Sequence, residues 1–267
     1  MDGILNVLKP PGMTSFDVVA YLRSLFKVKK VGHTGTLDPA AAGVLPVCIG
    51  SATKASEFIM GQSKLYRVEL ILGLGTDTQD LTGRITNLHG VDASFEQIRD
   101  IIKGFRGSYM QIPPMYSALK VDGKKLYDLA RKGITVERKP REVEIFSIEI
   151  LDMKRDSFKP EVIFCRKYPS GYENGLRAVS AGFQYPLVKV ILDVECSKGT
   201  YIRTLCADIG ERLGCGGCMS FLVRLKTGFF HISDSLTLEE IRDLHQNGRL
   251  MDNLVKVDLK SKKLFYR

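Results

Sequence analysis

The amino-acid sequence predicts an α+β fold in which helices flank a mixed, largely antiparallel sheet. Two segments, 66–72 and 187–195, alternate apolar with polar or charged side chains, which is typical of strands that bury one face only. Helical patterns are mixed irregularly with these strands. Because parallel strands in α/β proteins are apolar throughout, the alternation favours antiparallel pairing.

The first sixty residues contain one predicted strand and two predicted helices. Residues 3–9 form the strand, and the KPPG turn at 9–12 ends it, because proline fixes φ and glycine allows positive φ. Thr14 and Asp17, three positions apart, resemble a capping box and predict the start of the first helix. The second, short helix is predicted at 51–60.

The later elements are predicted from helix caps and apolar periodicity. Ser94 and Gln97 open a helix that runs to about Lys103, and Gly133 closes a helix predicted at 124–133. The remaining predictions are strands at 142–151, 187–195 and near 221–230, and helices over 202–214 and 237–248.

Composition indicates a globular protein with a basic excess. Lysine and arginine number 39 against 30 acidic residues, which gives the 267-residue chain a net charge of +9. This excess suits a polyanionic partner, nucleic acid above all, although many basic proteins are merely soluble. No apolar run approaches the roughly 18 residues that span a bilayer, and the N-terminus lacks a signal-peptide pattern, so a cytoplasmic protein is expected.

Candidate metal ligands are few. The pair Cys215 and Cys218 has no partner pair or histidines at zinc spacing, so a glycine-rich turn after a helix is the favoured interpretation. Asp77 and Asp80 do not follow the calcium-loop spacing, and turn capping is their alternative role. Buried, reduced thiols are expected at cysteines 48, 165, 196, 206, 215 and 218.

Asp38 lies in the segment GHTGTLDP, residues 32–39, directly before an apolar stretch. The segment lacks the spacing of a phosphate-binding loop. Its glycines allow a tight backbone path and Pro39 prevents a helix, so the loop holds one carboxylate rigidly. Such a carboxylate acts as a nucleophile if a neighbouring cation keeps it ionised; the alternative is that Asp38 only caps a turn.

Five blocks, in family order over most of residues 5–214, resemble the bacterial TruB family of tRNA pseudouridine synthases. They are NVLKPPGMTS, GHTGTLDP with GVLPVCIGSATK, KLYRVELILGLGTDTQDLTG, QIPPMYSALKVDGKKLYDLARKG and CSKGTYIRTLCADIGERLG. The resemblance implies the pseudouridine-synthase fold with a basic active-site cleft, and isomerisation of uridine 55 in the T loop of tRNA. It also implies that no cofactor or metal is required, since the reaction involves no redox change or net hydrolysis.

The resemblance also implies roles for single residues. Asp38 would be the catalytic aspartate, and Arg203 would pair with it, which lowers the pKa of the carboxyl group and fixes its rotamer. The Tyr66 ring would stack on the target base while its hydroxyl serves as a candidate general base. His33 would help to extrude the uridine from the T loop, because the target carbon is unreachable in a stacked base.

Further residues are implied around this centre. Lys9 would support the catalytic loop and is a candidate for RNA contact, and Asp77 would bond the flipped nucleotide. Leu222 would line the pocket beneath the uracil. Tyr116 is interpreted as a packing residue and Lys120 as an RNA contact.

The sequence departs from the family pattern at three places. Alanines occupy 40–42, where the family usually has leucine and threonine, and the stretch 156–186 is longer than usual and is predicted as an extended hairpin or loop. RNA contact is its favoured role, with an unrelated surface feature as the alternative. Residues 1–250 are expected to form the catalytic domain and 251–267 a short tail, with the family's C-terminal RNA-binding domain largely absent.

The expected partner is the tRNA T stem-loop, with no membrane association and no obligate protein partner, in a monomeric enzyme. Two other classes of function stay open at this point. One is an RNA-binding or RNA-chaperone protein whose pocket no longer turns over, and the other is a metal or thiol enzyme built on Cys215 and Cys218.

Overall fold

The computed structural model describes residues 1–121, 123–156, 186–258 and 263–265. The described strands are β1 (Gly3–Lys9), β2 (Val31–His33), β3 (Ala42–Ile49), β4 (Lys64–Leu72), β5 (Leu74–Thr76), β6 (Ile85–Leu88), β7 (Gly107–Gln111), β8 (Lys120–Val121), β9 (Lys124–Lys125), β10 (Arg141–Asp156), β11 (Leu187–Cys196), β12 (Gly217–Thr227), β13 (Phe230–His231), β14 (Lys256–Asp258) and β15 (Lys263–Phe265). The described α-helices are α1 (Ser15–Phe26), α2 (Ser56–Met60), α3 (Phe95–Lys103), α4 (Leu126–Ala130), α5 (Ile202–Arg212) and α6 (Leu238–Gln246), and 3-10 helices occupy Gly50–Ala55, Ile232–Asp234 and Leu250–Asn253.

One sheet contains most of the described strands. Its hydrogen-bonded order is β1-β3-β12-β4-β11-β10-β7, with β2 added beside β3 and β13 beside β12. The pairs β1–β3, β2–β3, β7–β10 and β12–β13 are antiparallel, whereas β3 and β12 run parallel. The predicted α+β class with a mixed, largely antiparallel sheet is therefore confirmed.

The chain divides into two units, and the division passes through β4, β11 and β12. The first unit comprises Met1–Arg67, Glu195–Lys198 and Leu222–Arg267, and the second comprises Val68–Val194 and Gly199–Phe221. The expected catalytic domain, 1–250, and the 251–267 tail stay predictions, and the expected insertion at 156–186 lies, except at its ends, outside the described residues.

In the first unit, α1 begins where the sequence predicts it. The Thr14 hydroxyl accepts a hydrogen bond from the Asp17 amide at 3.0 Å, and the Asp17 carboxylate accepts one from the Thr14 amide at 2.8 Å. The capping box therefore satisfies two backbone groups at the helix end. Val18, Leu22 and Phe26 form the buried face of α1 and pack in one core cluster with residues of β1 and β3.

Strands β1 and β3 are buried on both faces. Leu5 and Val7 contribute to the core beneath α1, while Ile4 packs on the opposite face with Val44 and Phe230. Burial on both faces explains why the sequence of β3, AGVLPVCI, is apolar almost throughout. The two strands pair from Gly3 with Ile49 to Lys9 with Gly43.

In the second unit, α5 packs closely on the start of β12. A side chain at Gly210 would overlap the backbone of Gly216 and Gly217, so glycine permits this approach. Gly216 has φ 81°, so the predicted turn after a helix forms at Cys215 and Gly216, whereas Gly217 and Cys218 already belong to β12. Five of the six cysteines are described, and all five are buried.

The prediction of a helix over 124–133 is wrong at both ends. β8 and β9 form a two-stranded hairpin, so Lys124 and Lys125 are extended, and helix α4 covers Leu126–Ala130 only. Contacts with residues earlier in the chain explain the difference, because the Leu126 amide donates to the Leu119 carbonyl at 2.8 Å. None of the described helices is long and apolar enough to cross a membrane.

Candidate active site

Asp38 lies in the loop that joins β2 to β3, and hydrogen bonds hold the loop on both sides of it. The Leu37 amide donates to the Ser15 hydroxyl at 2.9 Å, and the Gly12 amide donates to the Pro39 carbonyl at 2.8 Å. Both partners belong to the segment that begins α1. The half-buried Asp38 is therefore presented from a loop that is fixed to the first helix.

Lys9, at the end of β1, also supports this loop. Its ammonium group donates to the carbonyls of Pro10 at 2.8 Å, Pro39 at 3.3 Å and Ala41 at 2.7 Å. Its side chain is fully buried, and this burial lowers the pKa of Lys9 to about 8, against the opposing influence of the Asp38 charge. A contact of Lys9 with RNA stays a prediction.

Tyr66 points inward from β4, with 8% of its surface exposed. Burial raises the pKa of the Tyr66 hydroxyl, while the positive charge of Arg224 and a hydrogen bond from its side chain act in the opposite direction. The Asp38 charge also raises this pKa, so both residues lie within electrostatic range of the phenol. At neutral pH the hydroxyl of Tyr66 is protonated.

Arg224, on β12, is a residue of this site that the sequence analysis missed. Its guanidinium donates through Nε to the Val44 carbonyl at 2.7 Å and through Nη2 to the Gly35 carbonyl at 3.2 Å. Only 1% of the residue is exposed. The signal that indicates it is an arginine between the apolar residues Val223 and Leu225, on the strand face that also carries the apolar Leu222, because a buried charge requires specific partners.

His33 ends β2, close to the same guanidinium. Burial and, secondarily, the Arg224 charge lower the pKa of His33 below its usual value near 6.5, so the imidazole is neutral at pH 7. Its Nδ1 accepts a hydrogen bond from the Gly35 amide at 3.3 Å, which leaves the proton on Nε2. Leu222, two residues before Arg224 on β12, is buried and shares its strand face.

Arg203, near the start of α5, belongs to the second unit. Its Nη2 donates to the Tyr116 carbonyl at 2.8 Å, and its Nη1 donates to the Thr78 carbonyl at 3.3 Å and lies 3.5 Å from an oxygen of Asp80. The guanidinium thus joins the loop after β5 to the segment that contains Tyr116. Its predicted pairing with Asp38 stays a prediction.

The acidic loop of the second unit is organised by its own hydrogen bonds. Asp77 accepts from the Arg84 amide at 2.8 Å, and Asp80 accepts from the Thr82 amide at 2.9 Å. These hydrogen bonds agree with the interpretation that Asp77 and Asp80 cap a turn. Within the described ranges, no group of three or more potential ligands could hold a metal ion. Lys120, the remaining predicted contact, is exposed on β8.

The first unit contains most of the candidate site residues. The sequence-predicted members there are Lys9, His33, Asp38, Tyr66 and Leu222, to which Arg224 is added. The predicted members in the second unit are Asp77, Tyr116, Lys120 and Arg203.

Two family domains match the chain. The N-terminal domain of TruB family pseudouridylate synthases matches residues 23–167, and the C-terminal domain of tRNA pseudouridylate synthase B matches residues 203–257. The chain belongs to the TruB family. It is therefore a pseudouridine synthase, an isomerase, as the sequence resemblance implies.

Relatives within the TruB family are similar over most of this chain. The tRNA pseudouridine synthase B of Alkaliphilus oremlandii is 51% identical over 91% of this chain and 71% of its own length. The proteins of the same name from Pelotomaculum thermopropionicum and Clostridium acetobutylicum are each 46% identical over 97% of this chain, and the matches cover 73% and 77% of their lengths.

Solved structures show the same fold. A chain in the crystal structure of a Cbf5–Nop10–Gar1 complex is 28% identical to this TruB-family chain, with a TM-score of 0.62, and a chain in an H/ACA RNP bound to a substrate RNA containing 2′-deoxyuridine is 25% identical, with a TM-score of 0.59. Each match covers 92% of this chain, which spans 56% and 55% of the solved chains. The predicted pseudouridine-synthase fold is confirmed.

Proposed function

We propose that this TruB-family enzyme converts uridine 55 of the tRNA T loop into pseudouridine, with Asp38 as the catalytic group and without a cofactor. The assignment of Asp38 rests on one observation: hydrogen bonds with Lys9, Ser15 and Gly12 fix its loop on both sides of the carboxylate. The names of the relatives, tRNA pseudouridine synthase B, support tRNA as the substrate.

The reaction conserves every atom of the nucleotide. The N1–C1′ bond breaks, the uracil turns within its pocket, and C5 forms the new bond to C1′ while its proton leaves and N1 gains one. The Asp38 carboxylate supplies either the nucleophile or the negative charge that stabilises a cationic sugar. Both alternatives require an ionised carboxylate, and as a nucleophile it attacks either the base or the sugar.

Tyr66 is the candidate group for the C5 proton. Its ring is held in β4 and can stack on the uracil, and its oxygen lies within the influence of both Asp38 and Arg224. Because the hydroxyl is protonated at neutral pH, it accepts a proton only if it passes its own proton on. Arg203 is proposed to pair with Asp38 and to keep the carboxylate ionised.

His33 and Leu222 act on the position of the base. A base must leave the helical stack before its glycosidic carbon is accessible. The neutral His33 ring fits a role in filling space vacated by the extruded uracil, since it carries no charge that would require solvation. The apolar side chain of Leu222 fits the face of the uracil.

The whole assignment is tested with an unmodified tRNA transcript whose pseudouridines are mapped at single-nucleotide resolution. Wild-type protein is expected to modify position 55, and Asp38→Asn to leave it unmodified while binding tRNA with nearly unchanged affinity. Asp243→Asn, an exposed carboxylate on α6, serves as the matched control. Turnover by Asp38→Asn at the wild-type rate would overturn the role of Asp38, and modification elsewhere would overturn the T-loop assignment.

A further inference from the structure

Arg224 is a buried cation that the proposed chemistry does not by itself require. We propose that Arg224 is a positioning residue, which clamps the loop carrying Asp38 and orients the hydroxyl of Tyr66. The inference rests on the proposed function, since it assigns to Arg224 an effect on the step that Asp38 and Tyr66 perform.

The geometry of one planar group carries the argument. The guanidinium of Arg224 bonds to two separate parts of the first unit, Val44 at the start of β3 and Gly35 in the catalytic loop, and it lies close enough to Tyr66 on β4 to lower the pKa of its hydroxyl. A guanidinium can do this because its donors are fixed in one plane and point in different directions. A lysine ammonium, a single point charge on a flexible chain, cannot reproduce the set.

The backbone of Arg224 is fixed as closely as its side chain. Arg224 pairs in register with Gly43, directly after the catalytic loop. A side chain at Gly43 would overlap the Arg224 backbone, and Gly43 has φ 114°, a conformation that favours glycine. The guanidinium therefore has a defined position relative to the loop that contains Asp38.

The cost of burial indicates a function beyond stability. Burying a charge is unfavourable unless partners compensate it, and an apolar residue of similar size often stabilises a strand as well or better. The two backbone partners of Arg224, at Val44 and Gly35, are neutral carbonyls. Its charge, however, acts on Lys9, His33 and Tyr66, which surround the Asp38 loop.

The contact with Tyr66 has a chemical consequence. A hydrogen bond from the guanidinium to the phenolic oxygen would occupy one of its lone pairs and turn the hydroxyl proton away from Arg224. The same contact lowers the pKa of Tyr66, in opposition to burial. Loss of Arg224 leaves the ring in place but frees the hydroxyl to rotate and makes it less acidic.

The test compares the single-turnover rate and the tRNA dissociation constant of Arg224→Gln and Arg224→Lys with wild type. Arg224→Gln is expected to lower the rate about 100-fold, the usual scale for a lost preorganised donor, with a dissociation constant within about threefold of wild type. Arg224→Lys is expected to lose less of the rate than Arg224→Gln, since it keeps the positive charge but not the planar set of guanidinium donors. Lys226→Gln, on the same face of β12 two residues further, is the matched control and should keep the wild-type rate.

The route through Tyr66 is tested by a double-mutant cycle. If Arg224 acts partly through the hydroxyl, Arg224→Lys should lower the rate less in a Tyr66→Phe background than in wild type. Equal losses in both backgrounds would overturn the orienting role. A loss of tRNA affinity as large as the loss of rate, or a wild-type rate in Arg224→Gln, would overturn the positioning role altogether.

Two controls distinguish a failure of the Arg224 proposal from a folding defect and from a failure of the proposed function. Thermal unfolding identifies a variant that fails to fold, in which case Arg224→Lys and the double-mutant cycle decide the question. The proposed function fails independently, if wild-type protein does not modify position 55 or Asp38→Asn does. The positioning role of Arg224 is overturned separately, if the Arg224 variants keep the wild-type rate as Lys226→Gln is expected to do.

Discussion

The ammonium group of Lys9 lies 2.7 Å from the carbonyl oxygen of Ala41, 32 residues further along the chain. The same group bonds to the carbonyl of Pro10, so one buried cation joins the KPPG turn to the end of the catalytic loop. Two regions that a sequence pattern treats as separate blocks are thus one structural unit.

Replacement of Lys9 by methionine keeps the length of the side chain but removes its hydrogen bonds. Three buried or partly buried carbonyls lose a donor, so the free energy of unfolding should fall by about 1–3 kcal/mol. Urea unfolding measures this change, and the exposed Lys27→Met serves as control. A Lys9→Met protein as stable as wild type would show that the buried bonds contribute nothing net.

Gly43→Ala tests the close approach of β3 to β12. The added methyl group would overlap the Arg224 backbone and the residue keeps a positive φ, so a destabilisation of about 3 kcal/mol is expected. Gly12→Ala is the matched control: its φ is 91° but nothing lies within 4 Å, so only the backbone cost of about 1–2 kcal/mol applies. Equal losses for the two variants would remove the steric part of the explanation.

Tyr66→Phe separates the ring from the hydroxyl. The ring keeps its stacking surface, so tRNA affinity should be unchanged, whereas loss of a proton-transfer group should lower the single-turnover rate by about 100-fold or more. Tyr66→Leu should lower both the tRNA affinity and the single-turnover rate, because it loses the aromatic face as well. A normal rate in Tyr66→Phe would reduce the role of Tyr66 to stacking.

The buried thiols predict a loss of stability at alkaline pH. Burial raises the pKa of Cys48 and Cys218 from 9.0 to about 12, so the folded state holds protons that the unfolded chain releases above pH 9. Their contribution is complete below pH 9 and is lost as the pH rises towards 12, by about 1.4 kcal/mol per pH unit for each thiol. Urea unfolding in reducing buffer at pH 8 and pH 10 should therefore show a smaller decline for Cys48→Ala than for wild type. An identical decline in both proteins would show that the Cys48 thiol does not contribute to the pH dependence of stability.

The net charge of +9 predicts a steep salt dependence of tRNA binding. Contacts with phosphates release counterions, so the logarithm of the association constant should fall linearly with the logarithm of salt concentration. Filter binding between about 50 and 200 mM salt measures the slope. A flat response would mean that phosphate contacts contribute little.

Local signals in the sequence determined the parts of the fold that depend on neighbouring residues. The capping boxes at Thr14, Ser94 and Thr237 all form, because each needs only four consecutive residues. Alternation located β4 and β11, and the blocks shared with the TruB family indicated the enzyme class. The apolar stretch after Asp38 was visible in the sequence, but it was not predicted as the strand β3 that it forms.

Tertiary structure alone decided which distant groups meet. Arg224 bonds to Val44, 180 residues earlier, and the hairpin of β8 and β9 overrides a helical pattern at Lys124 and Lys125. The burial of Lys9 likewise depends on carbonyls that the folded loop brings together. Periodicity reports which face of an element is apolar, whereas the partner of a buried charge is set by strand order and register, which no local pattern contains.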